Sequence, residues 1–174
     1  TIAITLILLF NTITIKQGDI HDVFAINNNT RLADFDFAAV GDWACFSEAN
    51  KTAANIVDKD PDLVLGLGDY AYRNDATCWF KIIEPIDQKM KITIGNHDHL
   101  FYTSTTDSHP APKRLNQYMT HFNMSKQYYS FNHQNVHFIS ASTELPYEVG
   151  SKQYQFIKND LEKSASDPNI NWIV

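Results

Sequence analysis

Three short polar motifs follow apolar runs at regular intervals along the chain. They are Gly41-Asp42, Gly68-Asp69 and Gly95-Asn96-His97-Asp98, and their first polar residues lie 27 residues apart each time. A glycine lets the backbone turn sharply as it leaves a strand, so that the next side chain faces a common centre. Two carboxylates and a carboxamide gathered there need cations to balance their charge. The pattern therefore predicts a pair of metal ions that share a carboxylate.

Each motif taken alone has a simpler interpretation. A single Gly-Asp after a strand is more often a turn or a helix cap, and a single loop histidine such as His97 is seldom a catalyst. Asn96 alone is also compatible with a turn. The occurrence of all three motifs at the ends of successive apolar runs favours the metal hypothesis over three unrelated turns.

The spacing of these motifs is that of consecutive βαβ units, which implies an α/β fold with the three polar ends at one edge of a parallel sheet. The predicted strands alternate with helices, and Pro85 limits the second helical region to short pieces. The strands are expected at Asp34–Val40, Leu63–Leu67 and Ile92–Ile94, and the helices at Ser47–Lys59, capped by Ser47, and within Trp79–Lys89.

The second half of the chain contains a different pattern of elements. A polar loop is expected at Leu100–Pro112, followed by a short helix over Lys113–Phe122. A β-hairpin, an amphipathic helix and the start of another buried strand follow. Their expected positions are Tyr128–Asn132 with Val136–Ser142, a helix capped by Ser151 with Tyr154, Ile157 and Leu161 inward, and Trp172–Val174, with His137 facing water.

The three motifs resemble the first three of five motifs of the calcineurin-like metallophosphoesterases. The second motif continues as Gly68-Asp69-Tyr70-Ala71-Tyr72, and the resemblance extends from about Phe35 to Val174. It implies a partial two-sheet αββα sandwich over residues 34–174, truncated at the C-terminus. Many relatives carry a histidine ligand two residues after the first aspartate, but this chain has Asp42-Trp43-Ala44. Tyr72, three residues after Asp69, stands where the purple acid phosphatase (tartrate-resistant acid phosphatase-like) branch has a tyrosine ligand, so the chain resembles that branch. Ala44 stands in the first motif where that branch usually has glycine.

The resemblance implies a role for each site residue. Asp69 would bridge two ions, Asp42 and Tyr72 would bind the first, and Asn96 the second. A phenolate suits Fe(III), so the expected centre is Fe(III) with Fe(II), Zn(II) or Mn(II). His97 would bind the phosphoryl group or protonate the leaving group, and Asp98 would orient His97. An aromatic packing role for Tyr72 and a solvated position for His99 are the simpler alternatives.

The implied function is hydrolysis of small phosphate monoesters, as in acid phosphatases. A phosphodiesterase or nucleotidase of the same fold, or a non-catalytic extracellular binding module, are the alternatives. The fourth and fifth motifs of the family supply three further histidine ligands that this sequence lacks. His109, His121, His133 and His137 do not replace them. We therefore expect the 174-residue chain alone to bind metals weakly and to have little activity.

Composition and the N-terminal residues point to an exported protein. The formal net charge is −6 without a basic face, which argues against nucleic acid as a partner. Residues 1–15 are predicted to be a signal peptide or membrane anchor, with a buried strand as the alternative, and residues 16–33 a linker. Membrane contact is expected only through that anchor, and the sequence does not predict an oligomeric state. Cys45 and Cys78 could form one disulfide, and Asn-x-Ser/Thr sequons begin at Asn28, Asn50 and Asn123.

Overall fold

Three short parallel strands form the first sheet of the computed structural model, which describes residues 35–73, 75–99 and 111–174. Their spatial order is the same as their order along the chain. Two helices and a 3₁₀ turn connect them, as expected for consecutive βαβ units. The elements are β1 (Phe37–Val40), α1 (Ser47–Lys59), β2 (Leu63–Gly66), α2 (Thr77–Ile83), a 3₁₀ helix (Asp87–Lys89) and β3 (Met90–Ile92).

The register of this sheet brings the three polar motifs to one edge. Val40 pairs with Gly66, and Gly66 pairs with Ile92, so the carboxyl ends of the strands are level. The loops after these ends carry Asp42, Asp69 and Asn96. The predicted α/β fold with a shared strand edge is therefore confirmed.

A second sheet follows two helices, α3 (Asn96–His99) and α4 (Ala111–His121). Strands β4 (Tyr129–His133) and β5 (Val136–Ser140) form an antiparallel hairpin, and β6 (Trp172–Ile173) pairs in parallel with β5. Helix α5 (Lys152–Ala165) lies between β5 and β6 in the chain, and the Ser151 hydroxyl accepts a hydrogen bond from the Tyr154 amide at 3.1 Å. The predicted hairpin and the predicted cap of α5 are both confirmed.

Buried aromatic rings form the core beside the first sheet. The Tyr70 ring stacks on Trp79 at 4.1 Å, and Tyr118 packs edge-on against both rings. A smaller apolar cluster of Leu63, Val136 and Phe138 joins β2 to β5. The two sheets are therefore connected by a separate set of apolar contacts.

Several details differ from the sequence expectations. Strand β3 lies at Met90–Ile92 instead of Ile92–Ile94, because Met90 pairs with Val64. Ser47 is the first helical residue of α1 and its hydroxyl bonds to Glu48, so it does not cap the helix. Leu161 is 40% exposed and Trp172 is 65% exposed, although both were expected to be buried.

The position of His137 was also predicted wrongly, because its side chain is buried within the second sheet. Its Nε2 lies 2.7 Å from Asp160 of α5, and its Nδ1 lies 2.5 Å from Asn132 of β4. Burial is possible because both ring nitrogens have polar partners. The signal or anchor at 1–15, the linker at 16–33 and most of the loop at 100–112 lie outside the described residues.

Candidate metal centre

The first two aspartates of the site occupy an uncommon backbone conformation. Asp42 has φ 54° and Asp69 has φ 59°, in the left-handed region that residues other than glycine seldom adopt. The two loops are joined by backbone hydrogen bonds, from Asp42 N to Gly68 O at 3.2 Å and from Trp43 N to Asp69 O at 2.9 Å. These bonds hold the two carboxylate-bearing turns side by side.

The Tyr72 hydroxyl brings the two carboxylates together. It donates a 2.5 Å hydrogen bond to Asp42 Oδ1 and lies 3.3 Å from Asp69 Oδ2. Tyr72 also has a left-handed backbone, with φ 51°. Burial and the two neighbouring carboxylates raise the pKa of the Tyr72 phenol above its usual value. Three hard oxygen donors therefore converge on one point.

Two glycines allow the second and third loops to approach each other. Gly68 has φ 96°, and a Cβ there would lie 2.7 Å from the backbone nitrogen of Gly95. A Cβ on Gly95 would lie 2.7 Å from the Asp69 nitrogen and would collide with the Asp69 carboxylate. Any larger side chain at either position would therefore displace the second aspartate.

The third motif contacts the Asp69 carboxylate through a backbone amide. The His97 amide donates a 3.0 Å hydrogen bond to Asp69 Oδ1, and the His97 ring lies 4.5 Å from the Tyr72 ring. Asn96 begins α3 with an exposed side chain, which makes no hydrogen bond to Asp42, Asp69 or Tyr72 among the described residues. The structure thus brings Asp42, Asp69, Tyr72 and His97 together and places Asn96 beside them.

Asp98 is fully buried and binds the backbone of the ligand-bearing loops. Its carboxylate accepts hydrogen bonds from the amides of Asp69 at 2.7 Å, Tyr70 at 3.0 Å and Gly95 at 3.1 Å. Burial raises the pKa of the Asp98 carboxyl to about 6, while these amides oppose the shift. Asp98 therefore joins the second and third motifs, and its predicted role in orienting the His97 ring stays a prediction.

Helix α4 supplies contacts that the sequence did not predict. Arg114 donates to the His97 carbonyl and, at 2.5 Å, to the Arg73 carbonyl. Gln117 accepts from the Ala76 amide at 3.0 Å, and the Tyr118 hydroxyl accepts from the Ala71 amide at 3.1 Å. The i, i+3, i+4 spacing of these three residues was the available signal, since it places them on one helix face.

A disulfide between Cys45 and Cys78 connects the chain after the first motif to α2, with a Cα–Cα distance of 6.0 Å. The predicted pairing is confirmed. His99, expected to be solvated, is instead half-buried, and its Nδ1 has no hydrogen-bond partner within the described part of the chain.

Comparison with known proteins agrees with this architecture. The family model described as "Calcineurin-like phosphoesterase" matches residues 17–173. The chain belongs to the calcineurin-like phosphoesterase family. Purple acid phosphatase 22 of Arabidopsis thaliana is 29% identical over 80% of this chain and 34% of its own length. Probable inactive purple acid phosphatase 9 of the same plant is 31% identical over 60% of this chain and 21% of its own length.

A solved structure shares the fold of this calcineurin-like phosphoesterase. Purple acid phosphatase PPD1 of yellow lupin superposes with a TM-score of 0.61 at 22% identity, over 79% of this chain and 29% of that chain. The chain therefore spans about a third of the length of purple acid phosphatases that it matches. The predicted family and the predicted purple acid phosphatase relatives are confirmed.

The donor chemistry of the site fits the metal ions that this family implies. Carboxylate and phenolate oxygens are hard ligands, and Asp42, Asp69 and Tyr72 place three of them at one point. Among the described residues, no group of three or more His, Cys, Asp and Glu side chains could hold a metal ion. The predicted set therefore depends on Tyr72 and on Asn96 as well as on the two aspartates.

Proposed function

We propose that the protein hydrolyses small phosphate monoesters at a dinuclear metal centre to which this chain contributes Asp42, Asp69, Tyr72 and Asn96. The observation that supports this most directly is the convergence of the Asp42, Asp69 and Tyr72 oxygens at the carboxyl edge of the first sheet. Left without cations, these acidic groups would repel once ionised. Bound cations turn that arrangement into a stable ligand set.

The side chains have distinct roles in this proposal. When bound, the metal ions polarise the phosphoryl group and lower the pKa of a water molecule. Asp69 would be the carboxylate that both ions share, as the family resemblance implies. His97, beside Tyr72, donates a hydrogen bond to the phosphoryl oxygens or protonates the leaving group. Asp98 holds the amides of Asp69 and Gly95 so that the bridge keeps its position.

Tyr72 favours Fe(III) as the first ion, with Fe(II), Zn(II) or Mn(II) as the second. A free phenol has a pKa of about 10, so only a strongly polarising cation would hold it as a phenolate in acid. Iron–tyrosinate charge transfer would give the protein a visible absorption band. We expect Tyr72→Phe to abolish that band while iron, measured by elemental analysis, is retained in part through Asp42 and Asp69.

The central experiment uses the full-length protein and Asp69→Asn. We expect the parent to contain two metal ions and to hydrolyse p-nitrophenyl phosphate, and the variant to lose at least about a hundredfold in kcat/KM together with metal. Asp58→Asn is the matched control, because Asp58 is an exposed carboxylate at the end of α1. The proposal fails if Asp69→Asn retains parental activity.

The same measurements separate the alternative functions. A phosphodiesterase would prefer bis(p-nitrophenyl) phosphate to the monoester. A non-catalytic module would bind metal weakly and hydrolyse neither compound, and one relative is named "probable inactive". We expect the isolated 174-residue chain to bind metals weakly and to have little activity, because these residues include no counterpart of the family's three further histidine ligands.

The disulfide supports a location outside the cytoplasm, since such bonds persist mainly in oxidising compartments. No helix within the described ranges is long and apolar enough to cross a bilayer. We propose secretion or anchoring through residues 1–15, with a small phosphorylated molecule as the substrate. Fractionation of cells that express the full-length protein tests this: intact protein in the reducing cytoplasm would contradict it.

A further inference from the structure

A cavity of about 510 Å³ opens directly beside the candidate metal centre. Cys45, Tyr72, Arg73, Asp75 and Cys78 line it. Tyr72 belongs to both sites, because its hydroxyl contacts Asp42 and Asp69 while the residue also forms part of the cavity wall. A phosphoryl group held at the metal centre would therefore place its leaving group within reach of this cavity.

Arg73 gives the cavity a cation that forms no ion pair with an acidic side chain of the described residues. Its guanidinium carbon lies 5.4 Å from the centre of the exposed Phe46 ring. No carboxylate of the described residues lies within 4.0 Å of its nitrogens. Contact with an aromatic face orients a guanidinium without consuming its N–H donors. Within the described part of the chain, its N–H donors are therefore open to an anion.

The surroundings of Arg73 hold it in place. Its carbonyl accepts a 2.5 Å hydrogen bond from Arg114, which fixes the backbone at the base of the side chain. The other charged wall residue, Asp75, is a carboxylate whose Oδ1 accepts the Thr77 amide at 3.0 Å at the start of α2, and it forms no ion pair with Arg73. The Cys45–Cys78 disulfide adds an apolar wall and restrains the two sides of the cavity.

We propose that this cavity is the leaving-group subsite and that Arg73 selects phosphomonoesters that carry a second anionic group, either carboxylate or phosphate. The inference rests on the proposed function. A guanidinium presents paired donors that match either anion, and a charged hydrogen bond contributes more than a neutral one. An anionic leaving group would therefore gain from Arg73 an interaction that a neutral leaving group cannot make.

The test compares matched substrates with the full-length metal-loaded protein and Arg73→Gln. The pairs are 3-phosphoglycerate with glycerol 3-phosphate, and glucose 1,6-bisphosphate with glucose 6-phosphate. We expect Arg73→Gln to lower kcat/KM for the anionic member by about ten- to a hundredfold and to change the neutral member by less than about twofold. Arg73→Lys, which keeps the charge but loses the paired donors, should give an intermediate loss.

A control variant and a binding measurement complete the design. Lys51→Gln removes one exposed positive charge from α1 outside the cavity and should leave kcat/KM unchanged for both members of each pair. Calorimetry with phosphonoacetate and methylphosphonate gives a readout that does not need turnover, and Arg73→Gln should weaken only the former. Equal effects on both members of each pair, or no effect, would overturn the subsite. If the parent hydrolyses neither member of any pair, the proposed function fails instead.

Discussion

At the scale of single residues, the site is assembled from conformations that side chains rarely adopt. Asp42, Asp69 and Tyr72 all have positive φ, and such positions cost about 1–3 kcal/mol each unless the surroundings stabilise them. The hydrogen bonds between the first two loops and the three amides held by Asp98 provide that stabilisation. Three of the seven non-glycine residues with positive φ in the described part of the chain are therefore proposed ligands.

A substitution at Gly95 tests whether the close approach of the second and third loops positions Asp69. We expect Gly95→Ala to displace Asp69, because the added methyl group would collide with the Asp69 carboxylate and amide. The expected result is a metal content reduced to less than half and a lower free energy of unfolding. Gly150→Ala is the control, since its Cβ meets nothing within 4 Å although its φ is 96°. That variant should lose some stability but keep its metal, and metal retention by Gly95→Ala would contradict the geometry.

At the scale of elements, side chains of α4 hydrogen-bond to the backbone of two ligand-bearing loops. Arg114 binds the carbonyls of Arg73 and His97, which belong to the second and third loops. Gln117 and Tyr118 accept hydrogen bonds from amides on either side of Arg73, those of Ala76 and Ala71. These are side chain–backbone contacts, so the helix fixes loop geometry without supplying a ligand.

Removing the Arg114 contacts should speed metal release while the protein stays folded. We expect Arg114→Gln to release metal to a chelator about tenfold faster and to lose about 1–3 kcal/mol of unfolding free energy, because two carbonyls lose a charged donor. Chelator competition and urea unfolding measure the two effects. Lys113→Gln, an exposed neighbour on the same helix, should leave both unchanged. A parental release rate in Arg114→Gln would show that α4 does not position the loops.

Tyr129 joins the second sheet to the open edge of the first. Its hydroxyl accepts the Ile92 amide at 3.0 Å and donates to the Ile92 carbonyl at 2.8 Å, so it satisfies both backbone groups of Ile92 at the edge of β3. Burial raises the pKa of Tyr129 to about 12. Because the pKa in the folded state is higher than the unfolded value near 10, its stabilisation is complete below about pH 10 and is lost towards about pH 12.

This predicts a pH-dependent difference between the parent and Tyr129→Phe. Below pH 9 the variant should be less stable by about 1–3 kcal/mol, since Ile92 loses both partners. The difference should narrow between about pH 10 and pH 12, as the parent loses the stabilisation that the variant never had. Urea unfolding across this range measures it, with Tyr147→Phe as an exposed control. If the difference in unfolding free energy between the parent and Tyr129→Phe were the same at every pH, the raised pKa of Tyr129 would be contradicted.

At the scale of the whole molecule, local patterns predicted more than long-range contacts did. Apolar periodicity located α1 and the hairpin, and the Gly–polar spacing located the metal edge, because both signals are contained within short segments. His137 was misplaced because its partner Asp160 lies 23 residues away on another element. The roles of Arg114 and Tyr118 were missed for the same reason, since their partners are loop backbone atoms 17 to 47 residues distant.

The disulfide is the one covalent link between the segments that carry the first and second ligands. Cys45 and Cys78 are 33 residues apart, and closing a loop of that length stabilises a protein by about 3–4 kcal/mol in the chain-entropy description. We expect Cys45→Ala/Cys78→Ala to lose about that much unfolding free energy and to bind metal more weakly. A reducing agent should bring the parent to the same stability while leaving the double variant unchanged. If the agent leaves the parent unchanged too, or if mass spectrometry of the oxidised parent finds two free thiols, the ligand-bearing loops are held by non-covalent contacts alone.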